Sequence, residues 1–216
     1  HATALMGEAR VEFDQQPQRV LHELPILPAV ECLPMNGRLI YIVGPSGSGK
    51  DSVIDYARRR LPAAANIVFA QRTVTRPAGA GGETHIAVTL PEFEAMRDAG
   101  AFAMHWQANG HAYGIGGDMR GWLARGRTVV VSGSRAHLPE ARATFPDLEV
   151  VQVSAAPELL RERLAARGRE DPANMERRLA RGAKLVLPEQ AAALHIVNDR
   201  EPAHAGERLL AFLLGP

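Results

Sequence analysis

Apolar residues recur along the chain in short unbroken runs, beginning with "LIYIV" from Leu39 and returning in "NIVFAQ", "TVVVSG", "LEVVQVS" and "HIVND". The runs alternate little between apolar and polar positions, which is how strands covered on both faces of a parallel sheet read. Between them the spacing turns helical. "DSVIDYARRRL" follows the first run and ends at Leu61 before Pro62; "TLPEFEAMRDAG" places Thr89 and Glu92 at capping-box spacing, with Gly100 to end it. "SAAPELLRERLAARG" carries a helical pattern from Ser154 to Gly168. This order predicts an α/β fold, a parallel sheet core flanked by helices, with no internal repeat.

Two segments interrupt the alternation. Residues 72–115 hold short strand-like pieces around one helix, and residues 167–182, "RGREDPANMERRLARG", are polar and rich in Arg. An insertion after the second strand and a charged flap suit an enzyme that closes over anionic substrates. The plainer alternatives are a surface loop and a solvated helix.

Composition narrows this picture. The 216 residues are 46% hydrophobic, enough for one substantial core, and residues 35–216 are expected to form one domain. The formal net charge of +1 gives no global bias towards nucleic acid or a membrane surface, so any anion site is local. Lys50 and Lys184 are the two lysines; the other basic residues are arginines, so a single Arg carries little weight by itself. The one cysteine, Cys32, leaves no internal disulfide framework, and no apolar run approaches the roughly 18 residues of a spanning helix. A cytoplasmic protein is expected. Residues 1–34, with four of the fifteen prolines and no basic-then-apolar leader pattern, read as an extension ahead of Met35. Nothing in the chain assigns an oligomeric state.

The chemistry concentrates in "YIVGPSGSGKDSVIDY". Gly44, Gly49 and Lys50 match G-x-x-x-x-G-K, with a strand before and a helix pattern after, the context a phosphate-binding loop requires. In such a loop Gly44, Pro45, Ser46, Gly47, Ser48 and Gly49 present backbone N–H groups to phosphate oxygens, and the helix N-terminus adds its positive dipole end. Lys50 neutralises the terminal phosphates of ATP. The usual residue after Lys is a Ser or Thr that coordinates Mg²⁺; here it is Asp51, an oxygen ligand with a full charge, expected to contact the metal directly or through water. Ser52, one residue on, is the alternative oxygen ligand but would point to a different side, and the bland reading makes Asp51 a good helix starter. Arg135 and His137 follow "TVVVSG", at the edge of an open α/β sheet where ligands bind, and the Arg135 fork suits an acceptor phosphate. His105, Trp106, His111 and His137 read equally well as packing.

In order and spacing, "QRTVTRP", "HIAV", "EFEAMRDAGAFAMHWQANGHAYGI", "RGRE" and "HIVND" resemble the guanylate kinase family from Met35 onwards. "GPSGSGKDS", "NGHAYGI", "GSRAHLPEAR" and "RGRE" resemble one branch of it, the ribose 1,5-bisphosphate phosphokinases of phosphonate breakdown, which make 5-phosphoribosyl 1-diphosphate from ATP. The resemblance implies a P-loop kinase with a small acceptor-binding insertion at 72–115 and an Arg-rich lid at 167–182. Arg76 matches a phosphate-binding Arg, Tyr113 matches a phosphate-binding Tyr, and His85 stands in the place of another. A second family Arg falls near Gly79 and is missing; Arg72, in place of a small hydroxyl residue, is expected to supply that charge. Arg167 and Arg178 match lid arginines on the ATP phosphates, with Arg169 added to them here, and Asn198 matches a residue near the adenine. Lys50, Arg135, Arg167 and Arg178 form the expected catalytic set.

The guanine-reading side is different. The family's Glu, Ser/Thr and Asp readers correspond to Met104, Ile115, Ser132 and Ser134, so guanine's polar edge would be buried unpaired at about 1–3 kcal/mol per group. A small acceptor, ribose 1,5-bisphosphate, fits better than GMP, with Ser132 and Ser134 as hydroxyl partners. The rivals are a nucleoside monophosphate kinase and a guanylate-kinase-like interaction module without catalysis; the intact loop speaks against the second.

Overall fold

The computed structural model describes residues 36–78, 84–166 and 191–215, with 176, 179, 180, 182, 185, 187 and 188 between the last two spans. The expected extension, residues 1–34, and Arg167, Arg169 and Arg178 of the expected lid lie outside the described residues.

Strand β1 (Leu39–Val43) is the centre of the core sheet. All five of its residues are buried, and the strand's period of two splits them between two cores. Leu39, Tyr41 and Val43 enter one cluster; Ile40 and Ile42 enter the other. Four further strands complete the sheet: β2 (Ile67–Phe69), β7 (Thr128–Ser132), β8 (Glu149–Ser154) and β9 (Leu194–Val197). The order is β2-β7-β1-β8-β9, and every pair is parallel.

Helices cover both faces, as a sheet of buried strands requires. On the Ile40 face lie α1 (Lys50–Arg60), through Val53, Ile54 and Ala57, and α6 (Pro202–Leu214), through Ala205, Leu209 and Leu213. On the Tyr41 face lie α3 (Asp118–Ala124), through Met119 and Leu123, and α4 (Leu138–Thr144), through Leu138 and Ala141. Helix α5 is Pro157–Ala166 and starts later than the chain pattern suggests. Ser154 belongs to β8: its carbonyl accepts the Asn198 N–H at 2.8 Å, so the sheet ladder claims it first. Asp199 Oδ1 takes the Ala156 N–H at 2.7 Å, just ahead of the helix.

The interruption at residue 72 is a second sheet, order β4-β3-β6-β5, from β3 (Arg72–Val74), β4 (Ile86–Ala87), β5 (Phe102–Ala108) and β6 (His111–Gly116). Strands β5 and β6 form a hairpin whose two-residue turn is Asn109-Gly110, at φ 51° and 77°. Both values are left-handed, as a type I′ turn requires. Helix α2 (Leu90–Asp98) has the expected capping box: the Glu92 N–H donates to Thr89 Oγ1 at 3.4 Å, and the Thr89 N–H donates to Glu92 Oε2 at 2.7 Å. Among the described residues no helix is long and apolar enough to cross a membrane.

Candidate functional site

The loop between β1 and α1 and the face of the second sheet enclose a cavity of about 180 Å³. Gly44 to Asp51 line one side; Arg72, Arg76, Trp106 and Tyr113 line another; Ser134 and Arg135, after β7, complete it. The loop turns on Gly49, at φ 76°, where a Cβ would stand 2.4 Å from Asn198 Nδ2. Directly after it α1 begins at Lys50, so the helix's positive dipole end faces the cavity.

Asp51 organises the cations around this helix end. Its Oδ1 lies 2.9 Å from Lys50 Nζ and 3.7 Å from Arg72 Nη2, and accepts from Ser132 Oγ at 3.2 Å. Lys50 also donates to Ser132 Oγ. Burial by itself would raise the Asp51 carboxyl, but the charges of Lys50 and Arg72 and the hydrogen bonds from Lys50 and Ser132 hold it well below the usual carboxylate range. It is therefore an anion at neutral pH. Arg72 reaches further, donating to the Ser132 carbonyl at 3.3 Å and lying 5.3 Å from the centre of the Tyr113 ring. The nucleotide side and the second sheet thus share one charged bridge.

The structure sorts the remaining expected residues. Arg76 lines the cavity, with Nη2 3.5 Å from His85 Nδ1, and His85 Nε2 donates to the Arg76 carbonyl at 3.1 Å. His85 therefore stands behind Arg76. Ser132 sits under Lys50 and Asp51 and is buried. Ser52 is exposed and does not line the cavity. Asn198, expected beside adenine, is 2% exposed beneath the loop, where its amide donates to the Ser48 carbonyl at 2.8 Å. Arg135 donates through Nη1 to the carbonyls of Gly182, at 3.0 Å, and Leu185.

Two residues enter that the chain pattern alone does not single out. Arg163 on α5 donates to the Asn198 carbonyl at 3.0 Å, and its Nη1 is buried without a partner among the described residues, as is Ser48 Oγ. Both atoms are at the loop. Its signal is faint: one Arg among many, on the helix leading into the expected lid. Tyr41 is fully buried in β1, and its hydroxyl accepts the Ser134 N–H at 3.1 Å and donates to the Ser134 carbonyl at 3.4 Å. Burial pushes its pKa up to about 12, so the hydroxyl keeps its proton and pins the turn that carries Arg135. Nothing in "LIYIV" separates this Tyr from a core residue.

Met104 and Ile115, expected in place of base-reading groups, belong to the core and do not line the cavity. Met104 and Ile115 are opposite each other across β5 and β6, 4% and 1% exposed. Trp106 stacks on Tyr113, ring centres 5.6 Å apart, and on His137 at 5.3 Å.

The chain is similar to known proteins. The AAA domain family matches residues 40–181. A protein of Thiobacillus denitrificans named ribose 1,5-bisphosphate phosphokinase PhnN is 48% identical over 177 residues, covering 82% of this chain and 93% of its own length. The chain belongs to the ribose 1,5-bisphosphate phosphokinase family. Other relatives with that name agree: one from Chromobacterium violaceum is 48% identical over 83% of this chain and 95% of its own, and one from Pseudomonas paraeruginosa is 46% identical over 84% and 97%. The ribose 1,5-bisphosphate phosphokinase family is one of phosphotransferases, and the chain is an enzyme of that class. Its fold is that of guanylate kinase: the crystal structure of the Anaplasma phagocytophilum enzyme superposes with a TM-score of 0.64, covering 82% of this chain and 85% of that one at 18% identity.

Proposed function

We propose that the protein transfers the γ-phosphoryl group of ATP to the C1 phosphate of ribose 1,5-bisphosphate, giving 5-phosphoribosyl 1-diphosphate and ADP. The observation that carries this reading is the pairing of a phosphate-binding loop with a wall that presents Arg72, Arg76 and Tyr113 while Met104 and Ile115 are packed together as core. Such a wall grips anionic oxygens, while Met104 and Ile115, at the positions matched to the family's base readers, bring no polar side chain. The names of the curated relatives support it.

The chemistry asks little covalent work of the side chains. An ionised oxygen of the C1 phosphate attacks the γ-phosphorus, the bond to the β,γ-bridging oxygen breaks, and ADP leaves with that electron pair; no proton needs abstraction. Lys50 and the α1 N-terminus stabilise charge on the transferred group and on the β-phosphate. Arg72, bridging Asp51 and the Tyr113 ring, sits where the two substrates' negative charges must approach each other. Arg167, Arg169 and Arg178 complete the screening from the lid.

The residues present fit Mg²⁺. Asp51 is ionised and its side chain is 32% exposed to the cavity, and the Ser132 hydroxyl lies 3.2 Å from it. Among the described residues no cluster of three His, Cys, Asp or Glu side chains forms a metal cage, which suits an ion that keeps waters and takes its other ligands from phosphates. Asp51 would hold it, with Ser132 beside, and the ion would neutralise charge on the β- and γ-phosphates.

Incubation with ATP, magnesium and a panel of phosphorylated acceptors, followed by ³¹P NMR of the products, tests the proposal. The expected product carries a diphosphate on C1 of ribose. Phosphorylation of GMP with no reaction on the sugar bisphosphate refutes it.

A further inference from the structure

Four cationic side chains line the cavity, and three have partners close by. Lys50 and Arg72 share Asp51, and Arg76 is held against His85. Arg135 is different. It is half-buried, and among the described residues no carboxylate lies within ion-pair distance; Nη1 meets the two backbone carbonyls of Gly182 and Leu185. An arginine carries five N–H donors, and the donors on Nε and Nη2 make no hydrogen bond among the described residues. Arg135 lines the cavity, so this unpaired edge is open to an anion there. Burial lowers the affinity of Arg135 for its proton, with no acid acting in the opposite direction.

The position of this cation is rigidly set. It follows the turn that Tyr41 pins through Ser134, and Gly133 in that turn packs so tightly on the Tyr41 ring that a Cβ would fall 2.1 Å from it. The carbonyls of Gly182 and Leu185 anchor one edge of the guanidinium. A preorganised fork of this kind matches a phosphate's oxygens in bidentate fashion. Arg72, by contrast, comes from the other sheet and lies beside Asp51 and the Tyr113 ring, and Arg76 lines the cavity two residues past the same strand. The cavity therefore draws its acceptor-side cations from two places, the β3 segment and the turn after β7.

We propose that Arg135 forms a second phosphate subsite, which takes the C5 phosphate of the acceptor, while Arg72, Arg76 and Tyr113 hold the C1 phosphate that receives the γ-phosphoryl group. This rests on the function proposed above. It makes Arg135 a specificity residue that separates sugar bisphosphates from sugar monophosphates.

The test compares ribose 1,5-bisphosphate with ribose 1-phosphate in the wild-type protein and in Arg135→Ala, with magnesium and ATP. One charge-assisted bidentate contact corresponds to roughly a 10- to 100-fold effect. The variant should lose about that factor more in kcat/KM for the bisphosphate than for ribose 1-phosphate, so that the ratio between the two acceptors falls by roughly 10- to 100-fold. An equal loss on both acceptors, or a raised KM for ATP, overturns the assignment. Should Arg135→Ala not fold, as judged by its circular dichroism melting curve, Arg135→Lys takes its place, and the lost fork predicts the same acceptor-selective loss. If the wild-type protein turns over neither acceptor, the proposed function is wrong, and binding decides the subsite alone. Ribose 5-phosphate titrated calorimetrically should then bind the variant tenfold or more weakly than the wild type, and equal binding overturns the subsite.

Discussion

Replacement of Asp51 by Asn isolates the charge on which the nucleotide side turns. The carboxylate lies 2.9 Å from Lys50, 3.7 Å from Arg72 and 3.2 Å from the Ser132 hydroxyl. A phosphate that binds Lys50 without a metal competes with the Asp51 anion for the ammonium charge, a charge-assisted contact of about 1.5–3 kcal/mol. In Asp51→Asn that competition is gone, so ATP in excess EDTA should bind about tenfold more tightly than in the wild type. With magnesium the sign reverses: loss of the anionic ligand should raise the KM for MgATP and lower kcat, together on the order of a hundredfold in kcat/KM. Calorimetric titration in EDTA and steady-state kinetics across a magnesium series read the two effects separately. A change in the same direction under both conditions, or an unchanged magnesium dependence, refutes the reasoning. Stability adds a pH signature. The folded carboxyl is held below its ordinary value near about 3.9, so its contribution is present above that value and fades as pH falls towards the lower folded value. The melting-temperature gap between wild type and variant should stay constant between about pH 5 and 8 and close below about pH 4.

Three further outcomes follow from the packing. Asn198→Ala removes the amide that meets the buried Ser48 carbonyl at 2.8 Å; it should cost about 1–3 kcal/mol in denaturant unfolding and weaken ATP binding, and a fully stable variant with native affinity contradicts the role assigned to it. Tyr41→Phe leaves the Ser134 N–H without its partner, so KM for the sugar bisphosphate should rise several-fold while KM for ATP holds; equal shifts in both contradict the pinning of that turn. Ile115→Ala opens a cavity opposite Met104 in a site 1% exposed and should cost about 2–5 kcal/mol in urea unfolding, without creating GMP phosphorylation.

The parts legible in the chain were those written as local patterns. "LIYIV" before a glycine-rich turn specifies a buried strand and a phosphate-binding loop, and Thr89 with Glu92 specifies a helix start, because each depends on neighbours within a few residues. Asn109-Gly110 is a hairpin signal of the same local kind, and the structure turns there between β5 and β6. Parts set by contacts distant in sequence stayed hidden. Ser154 looks like a helix start until Asn198, just after β9, donates to its carbonyl; Tyr41 looks like core until Ser134 arrives; Arg163 is one Arg among many until Asn198 meets it. The burial of Asn198 beneath the loop has the same origin, since its partner Ser48 is 150 positions away.

The central claim is that the acceptor wall selects phosphate oxygens and not a purine. It is tested most directly by the ratio of kcat/KM for ribose 1,5-bisphosphate to that for GMP, measured on one preparation by ADP release. Two unpaired polar groups on a buried base, at about 1–3 kcal/mol each, place this ratio at roughly thirtyfold or more in favour of the sugar bisphosphate. A ratio at or below one contradicts the account.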